Sequence, residues 1–434
     1  MARFLFTFWP FTGHVYAQIG IAAALRGHGH QVAFYTDRSM HPILHDEGFR
    51  AFPFEQVNPR RWERIHAREQ ATPTGQQPLR LGLQAFREWL TASIPEQMAD
   101  LQAVVADWRP DVVVTDLAMW GPILVLWETS GIPVALSSTM IGCMIPGSDA
   151  PPWGPGLPPP RTLWTRLLAR SASVAVDLLA APMRRELNRV RAHYGLPPMG
   201  CSVNEFTGRL PLYLVPSLPE LDYNRRDLPS SVHYVGSCSW NKPSREPVPA
   251  WLDDLPTDRP WVHVTEGTAH YQEPFVLRAA ARGLADRRMQ VIMTSGPHRD
   301  PAALDIGRLA SNVRLERFVS HADFLPRCGA MVTTGGAGSI MASLQAGVPL
   351  VVVPTHWDKA DNAQRVVEAG VGVRVGPRAC TPERVRAAVD QVLTEPRFQA
   401  NARRLAQRLA EAPGPPRAAE LLEGLVAPGP RAAA

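Results

Sequence analysis

Apolar residues along this chain fall into short continuous runs, each closed by glycine, proline or a small polar residue, and the stretches between them carry apolar positions at helical spacing. Runs at 3–9, 31–36, 111–115, 133–137 and 210–215 predict strands. Residues 14–26 predict a helix stopped by Gly27, a helix between 79 and 108 separates the second strand from the third, and helix resumes over 163–194. The proline-rich stretch 145–161 breaks the pattern and predicts a loop or lid. After 215 the sequence P-S-L-P-E-L-D-Y-N-R-R-D-L-P reads as a linker, and a second half repeats the theme. Its strands are predicted at 261–265, 290–294, 313–316, 330–333 and 350–353, its helices at 273–286, 339–346, 359–369, 382–393 and 398–412.

Strand–helix alternation implies a parallel sheet in each half. The expected fold class is therefore α/β, with two Rossmann-like domains facing across a cleft. The boundaries are 1–215 for the first domain, 216–245 for the linker, 246–412 for the second domain and 413–434 for a tail expected to be disordered beyond Pro428. There is no short-period repeat.

Composition narrows the function without choosing it. The chain has 434 residues, 45% of them apolar and 20% charged, as in an ordinary enzyme-sized globular protein. A net charge of +5 raises the question of nucleic acid, but the arginines are spread over amphipathic stretches such as 384–386 and 403–408 and form no block, so a solvated face is the better reading. Five scattered cysteines without C-x-x-C spacing support neither a disulfide framework nor a zinc site, and they fit a reducing cytoplasm. The opening apolar run ends at Pro10 and is too short for a signal peptide; no run reaches membrane-spanning length. Only two of the 45 basic residues are lysines, Lys242 and Lys359, which makes the position of each worth noting.

Candidate chemistry concentrates in residues 331–375, M-V-T-T-G-G-A-G-S-I-M-A-S-L-Q-A-G-V-P-L-V-V-V-P-T-H-W-D-K-A-D-N-A-Q-R-V-V-E-A-G-V-G-V-R-V. A strand ends in a glycine turn and a helix opens at the glycines. The helix end offers unpaired N–H groups and a positive dipole to a phosphate, while Gly335, Gly336 and Gly338 remove side chains that would keep it away. Asp358, Lys359, Asp361 and Asn362 follow at the end of the next strand, where a group attached to that phosphate would lie. A tight strand-to-helix turn with no ligand is the alternative; two agreeing strand ends favour the site.

On the first half, His14 follows the first strand in the loop T-G-H, at the carboxyl edge of the sheet. An imidazole there can take a proton from an attacking hydroxyl. A carboxylate on its other nitrogen would fix the tautomer, and Asp116, just after the strand 111–115, stands in the right topological place. An Asp in that position is also a common helix N-cap.

These segments carry a resemblance. Residues 331–375, together with F-T-G-H-V, P-D-V-V-V-T-D, T-E-G-T at 265–268 and F-V-S-H-A-D-F-L-P-R-C at 318–328, are similar to the inverting GT-B glycosyltransferases of bacteria and plants, which move sugar from a nucleotide diphosphate sugar to a lipophilic acceptor. The resemblance spans most of the chain. It implies an acceptor-binding first domain with a His14–Asp116 dyad and a second domain that binds the nucleotide sugar. On the donor side it implies Thr12, Gly267 and Thr268 at the nucleotide diphosphate, and Phe318 and Val319 at the base. His321 stands where plant relatives carry Gln and many bacterial relatives carry His. Thr334, Gly335, Gly336, Gly338 and Ser339 fall at the phosphates, and Asp358, Lys359 and Asn362 at the sugar. Phe318 reads equally as a core aromatic, and Asp358 as the cap of its helix.

Two departures from the family pattern stand out. Thr334 replaces the usual His before the glycines, and Lys359 replaces the usual Gln after the sugar-binding Asp. Thr334 brings no imidazolium charge, so Lys359 is expected to compensate. No D-x-D pair for a divalent cation occurs, so a metal-independent reaction with no cofactor beyond the nucleotide sugar is expected. Acceptor selectivity is expected in 54–90, 140–153 and the helix from Leu163. Trp62, Trp89, Met140 and Trp153 are the candidate acceptor-binding residues, with Trp164 in the same stretches, though helix packing accounts for each Trp equally well.

The expected activity is transfer of a hexose or deoxyhexose from a UDP- or dTDP-sugar to a natural-product hydroxyl, by a cytoplasmic monomer or homodimer. A GT-B epimerase or phosphorylase and a non-catalytic nucleotide-sugar-binding subunit are the rivals.

Overall fold

The computed structural model describes residues 1–70, 79–240, 249–268, 270, 273–296 and 299–426. The end of the expected linker, with Lys242, and the tail beyond Pro428 lie outside the described residues.

Two all-parallel sheets organise the chain. The first has seven strands in the order β3-β2-β1-β4-β5-β6-β7. These are β1 (Arg3–Thr7), β2 (Gln31–Thr36), β3 (Arg50–Pro53), β4 (Val112–Thr115), β5 (Val134–Ser137), β6 (Leu212–Val215) and β7 (Val232–Tyr234). The second has six, in the order β10-β9-β8-β11-β12-β13. They are β8 (Trp261–Thr265), β9 (Gln290–Thr294), β10 (Val313–Glu316), β11 (Cys328–Thr333), β12 (Leu350–Val352) and β13 (Gly372–Arg374). Both strand orders reverse beside a central strand, β1 in the first sheet and β8 in the second, which opens a crevice at the carboxyl ends of those strands. The architecture is the expected GT-B arrangement.

The strands form because both faces are covered. Leu5 and Val113 point into one layer with Trp89, Ile94 and Met98, while Phe4, Phe6, Val112 and Val114 point into the other with Ile19, Ala22 and Leu25 of the helix Thr12–Gly27. Each such fully buried Leu, Val or Phe contributes roughly 1.5–3 kcal/mol of transfer free energy. No helix among the described residues is long and apolar enough to cross a membrane.

Three features differ from the sequence expectation. β7 lies inside the first sheet although its residues fall in the stretch read as a linker. The helix expected between 79 and 108 comes in pieces, Leu79–Phe86, a wider π turn over Arg87–Thr91, and Ile94–Trp108, with Pro95 opening the last. The helix Pro396–Glu411 packs on the second domain, with Ala402, Leu405 and Leu409 beside Ile340 and Leu344 of the helix Ala337–Gln345, and the chain returns to the first domain only after it. The return is made by the next helix, Pro415–Glu423, which lies in the stretch read as tail. Gly414 enters it at φ +58° with its N–H on the Val235 carbonyl, and Ala418, Ala419 and Leu422 join the first domain's core. Glu423 then meets His28 at 2.7 Å and His30 at 3.0 Å, so those two histidines serve as a tether.

Candidate active site

The dyad forms. β1 and β4 are neighbours with Thr7 opposite Thr115, so the residues just past their ends share one edge. His14 is the third residue of the helix that starts at Thr12, and its Nδ1 lies 2.6 Å from Asp116 Oδ2. Asp116 is 1% exposed. Its other oxygen accepts the Ala118 N–H at 2.8 Å and its own N–H donates to the Thr7 carbonyl at 3.3 Å, which fixes the carboxylate against the sheet. The local turn-capping role and the orienting role therefore coexist. The imidazole is partly open to the cleft, 21% exposed, with the Phe11 ring edge-on at 5.1 Å.

On the donor half, β11 runs into Thr334 and a turn at Gly335, and Gly336 precedes the helix Ala337–Gln345 without any side-chain cap. The glycines divide the work. Gly335 sits at φ +92°, and a β-carbon there would stand 2.9 Å from Val352 Cγ1, so the backbone turn and its packing on β12 require it. Gly336 and Gly338 face open space, so the room for a phosphate lies over them rather than over all three. Ser339 is half-buried in the same first turn.

Lys359 reaches under this turn. Its ammonium donates to Thr334 Oγ1 at 3.2 Å and Thr355 Oγ1 at 3.0 Å and is 5% exposed, while the Thr334 hydroxyl donates to the Glu266 carbonyl at 2.9 Å. The cation thus stands directly on the residue that replaces the family's histidine. Asn362 bridges the two halves of the motif, donating to the Gly335 carbonyl at 2.9 Å and to Asp358 Oδ2 at 2.6 Å. Asp358 occupies the cap position of the helix Lys359–Glu368 but makes no capping bond. Burial pushes its carboxyl up, and Lys359, Asn362 and His14 of the opposite domain pull it down.

The remaining donor candidates separate. Gly267, at φ +70°, and the exposed Thr268 form the open turn after β8. Glu266 beside them is turned inward, paired with Arg299 at 2.6 Å and accepting the Val276 N–H. Phe318 is 64% exposed, which excludes a core role and leaves its ring free to stack. The Val319 side chain is 3% exposed and lies in the cluster with Phe324 and Leu325. His321 lies edge-on to buried His263 at 5.3 Å, and burial lowers its pKa to about 4, so it is neutral near pH 7.

Asp361 is a correction. It does not face the donor: its Oδ2 accepts the Gly154 N–H at 2.7 Å, and burial pushes its pKa up to about 6. With Arg374, which reaches the Gly156 carbonyl at 2.8 Å, it clasps the proline-rich loop of the first domain, while Arg365 reaches Asp222 at 3.1 Å and the Cys143 carbonyl just before that loop at 3.3 Å. Arg365 and Asp222 are 5% and 1% exposed, a setting in which removing one partner typically costs about 3–5 kcal/mol.

The acceptor candidates mostly converge. Trp62 and Trp89 lie 4.6 Å apart, with Phe11 at 4.7 and 5.6 Å from them, and Trp153 meets Phe86 at 6.1 Å. Into this group comes Trp357 of the second domain, 5.6 Å from Trp62, 5.1 Å from Phe86 and 5.7 Å from Trp89. Its backbone is left-handed, φ +62°, a conformation that costs a bulky residue on the order of 1–3 kcal/mol. Met140 is half-buried on the loop after β5, its N–H on Ser138 Oγ. Trp164 stands apart, 71% exposed beside exposed Leu163 and Leu167. Sequence reasoning missed Phe11, Phe86 and Trp357; the available signal for Trp357 was its place immediately before Asp358, at a strand end.

Residues 288–425 match the family described as Erythromycin biosynthesis protein CIII-like, C-terminal domain. Over its length the chain is 34% identical to a 4'-demethylrebeccamycin synthase of Lentzea aerocolonigenes, covering 98% of this chain and 100% of the relative. It is 27% identical to a demethyllactenocin mycarosyltransferase of Streptomyces fradiae, covering 99% and 87%. Among solved structures the fold matches the glycosyltransferase of kitacinnamycin with a TM-score of 0.75 at 21% identity, covering 98% of this chain and 99% of that one. It also matches the glycosyltransferase VinC in complex with dTDP with a TM-score of 0.66 at 22% identity, covering 98% and 99%.

Proposed function

The chain belongs to the glycosyltransferase family of these natural-product enzymes, and from that premise we propose that it transfers a hexose or deoxyhexose from a UDP- or dTDP-sugar to a hydroxyl of a lipophilic small-molecule acceptor, with inversion and without a metal. The observation that carries this reading is the His14–Asp116 pair on one side of the cleft, linked through Phe11 and Trp62 to Trp357, the neighbour of Asp358, on the other.

The steps follow from the residues. The acceptor oxygen attacks the anomeric carbon as its proton passes to His14 Nε2, and Asp116 holds the ring's other nitrogen and stabilises the imidazolium. Asp358 accepts hydrogen bonds from sugar hydroxyls. The bond from the anomeric carbon to the phosphate oxygen breaks, and the diphosphate leaves with the electron pair toward the N-terminus of the helix Ala337–Gln345. There the backbone N–H groups and the Lys359 cation offset its charge. Attack from the face opposite the leaving group inverts the anomeric centre. The aromatic wall beside the dyad favours an apolar acceptor over the water or phosphate of an epimerase or phosphorylase, and an intact dyad favours an enzyme over a binding subunit.

The test is a donor panel scored by thermal shift, followed by mass spectrometry and anomeric NMR of products formed with lipophilic hydroxyl compounds in EDTA. The expected product is a glycoside of anomeric configuration opposite to the donor. Retention of configuration, or turnover lost in EDTA, would refute the mechanism.

A further inference from the structure

The first domain's main core cluster is built from residues up to Tyr234 with one exception among the described residues: Trp357, which belongs to the donor domain. Its indole enters a box of Phe11, Trp62, Phe86 and Trp89, and Phe11 in turn touches His14 at 5.1 Å. We infer that Trp357 is an acceptor-selecting residue that the donor domain lends to the acceptor site, and that the acceptor it selects presents a flat aromatic ring system. The inference rests on the glycosyl-transfer reading above and names the substrate class of that same site.

Two observations tie the indole to the donor. Trp357 immediately precedes Asp358, and on a left-handed backbone its ring meets Trp62, Phe86 and Trp89 of the other domain. Asp358 is bonded through Asn362 to the Gly335 turn, so the residues that hold sugar and phosphate also fix where the indole stands. A nucleotide bound at that turn therefore steadies the acceptor wall. The contacts within the box are tilted or edge-on, with interplanar angles of 48° to Trp62, 68° to Phe86 and 87° to Trp89. Such an arrangement presents ring faces and ring edges together, which suits another flat π-system better than a saturated ring of equal size, because only the former matches the quadrupoles as well as the area.

Binding, measured apart from turnover, tests this. Alizarin, a flat dihydroxylated tricycle, and androstanediol, a saturated diol of similar size, are titrated calorimetrically into the full chain, alone and with saturating dTDP or UDP. The proteins are wild type, Trp357→Ala, Trp357→Phe and, as an exposed control, Trp164→Ala. The nucleotide should tighten alizarin binding by wild type fivefold or more. Trp357→Ala should weaken it tenfold or more and abolish the nucleotide effect, Trp357→Phe should stay within threefold, and Trp164→Ala should match wild type. Nucleotide affinity should hold within twofold in every variant, and androstanediol should bind at least tenfold more weakly and ignore Trp357. Alizarin bound equally well or more tightly by Trp357→Ala would overturn the proposal. So would androstanediol bound as well as alizarin by wild type, or nucleotide affinity lost together with alizarin in both Trp357 variants. Because no step requires transfer, absence of product in the donor panel would count against the catalytic reading while leaving these affinities to decide the selectivity.

Discussion

The phosphate turn of the second domain and the aromatic box of the first are built from different materials. The turn is backbone: a strand end, Gly335 at positive φ, two glycines facing open space and a helix start, all within a few residues. The box is side chains drawn from Phe11, Trp62, Phe86, Trp89 and Trp357, on elements far apart in the sequence. In the proposed reaction the backbone site takes what every donor shares, a diphosphate, and its geometry leaves few choices of residue. A side-chain site can be rebuilt one ring at a time, which makes it the natural place for acceptors to differ.

The dyad stands where the two regions meet, and its loss should separate them most sharply. His14→Ala should lower kcat by about a hundredfold or more, the scale of general-base catalysis. dTDP affinity by calorimetry should stay within twofold, because the phosphate turn belongs to the other domain. Undiminished turnover in this variant would remove His14 as the base.

Within the turn, stability and binding should divide between glycines. Gly335→Ala must adopt φ +92° and meet Val352, and should cost about 2–4 kcal/mol in urea unfolding. Gly338→Ala places its methyl in open space inside a helix and should leave stability within about 1 kcal/mol, or raise it, while weakening dTDP. Equal unfolding midpoints for the two variants would mean that backbone conformation is not what demands glycine at 335.

That division also explains what could be read from sequence. Strands buried on both faces carry continuous apolar runs, and β2, β8 and β9 begin and end at the expected residues. The edge strands β3, β7 and β13 are short and half-covered, R-A-F-P, V-H-Y and G-V-R, and carry no such run; their pairing is decided by neighbours far along the chain. The dyad and the glycine turn were legible because each hangs on a strand end. Asp361 was misplaced because a motif gives position but not the direction of a side chain, and packing against a partner segment turned this one elsewhere. Trp357 was passed over for the same reason in reverse: its importance comes from the domain it touches, not the one that encodes it.

The smallest effect bears on the one place where the backbone site borrows a side chain. Thr334 brings no charge, and its hydroxyl is already committed, donating to the Glu266 carbonyl and accepting from Lys359. If the ammonium compensates for the missing imidazolium, Lys359→Gln should weaken dTDP about tenfold, the equivalent of about 1.4 kcal/mol. Glutamine retains a donor able to reach Thr334 and Thr355, so most of the loss would be charge. Thymidine, which carries no phosphate, should bind both proteins equally, and added salt should narrow the gap for dTDP. Unchanged dTDP affinity would mean that helix end and backbone N–H groups suffice alone, and that Lys359 is a buried strut holding Thr334 to Thr355. The phosphate site would then be wholly backbone, and its contrast with the aromatic box complete.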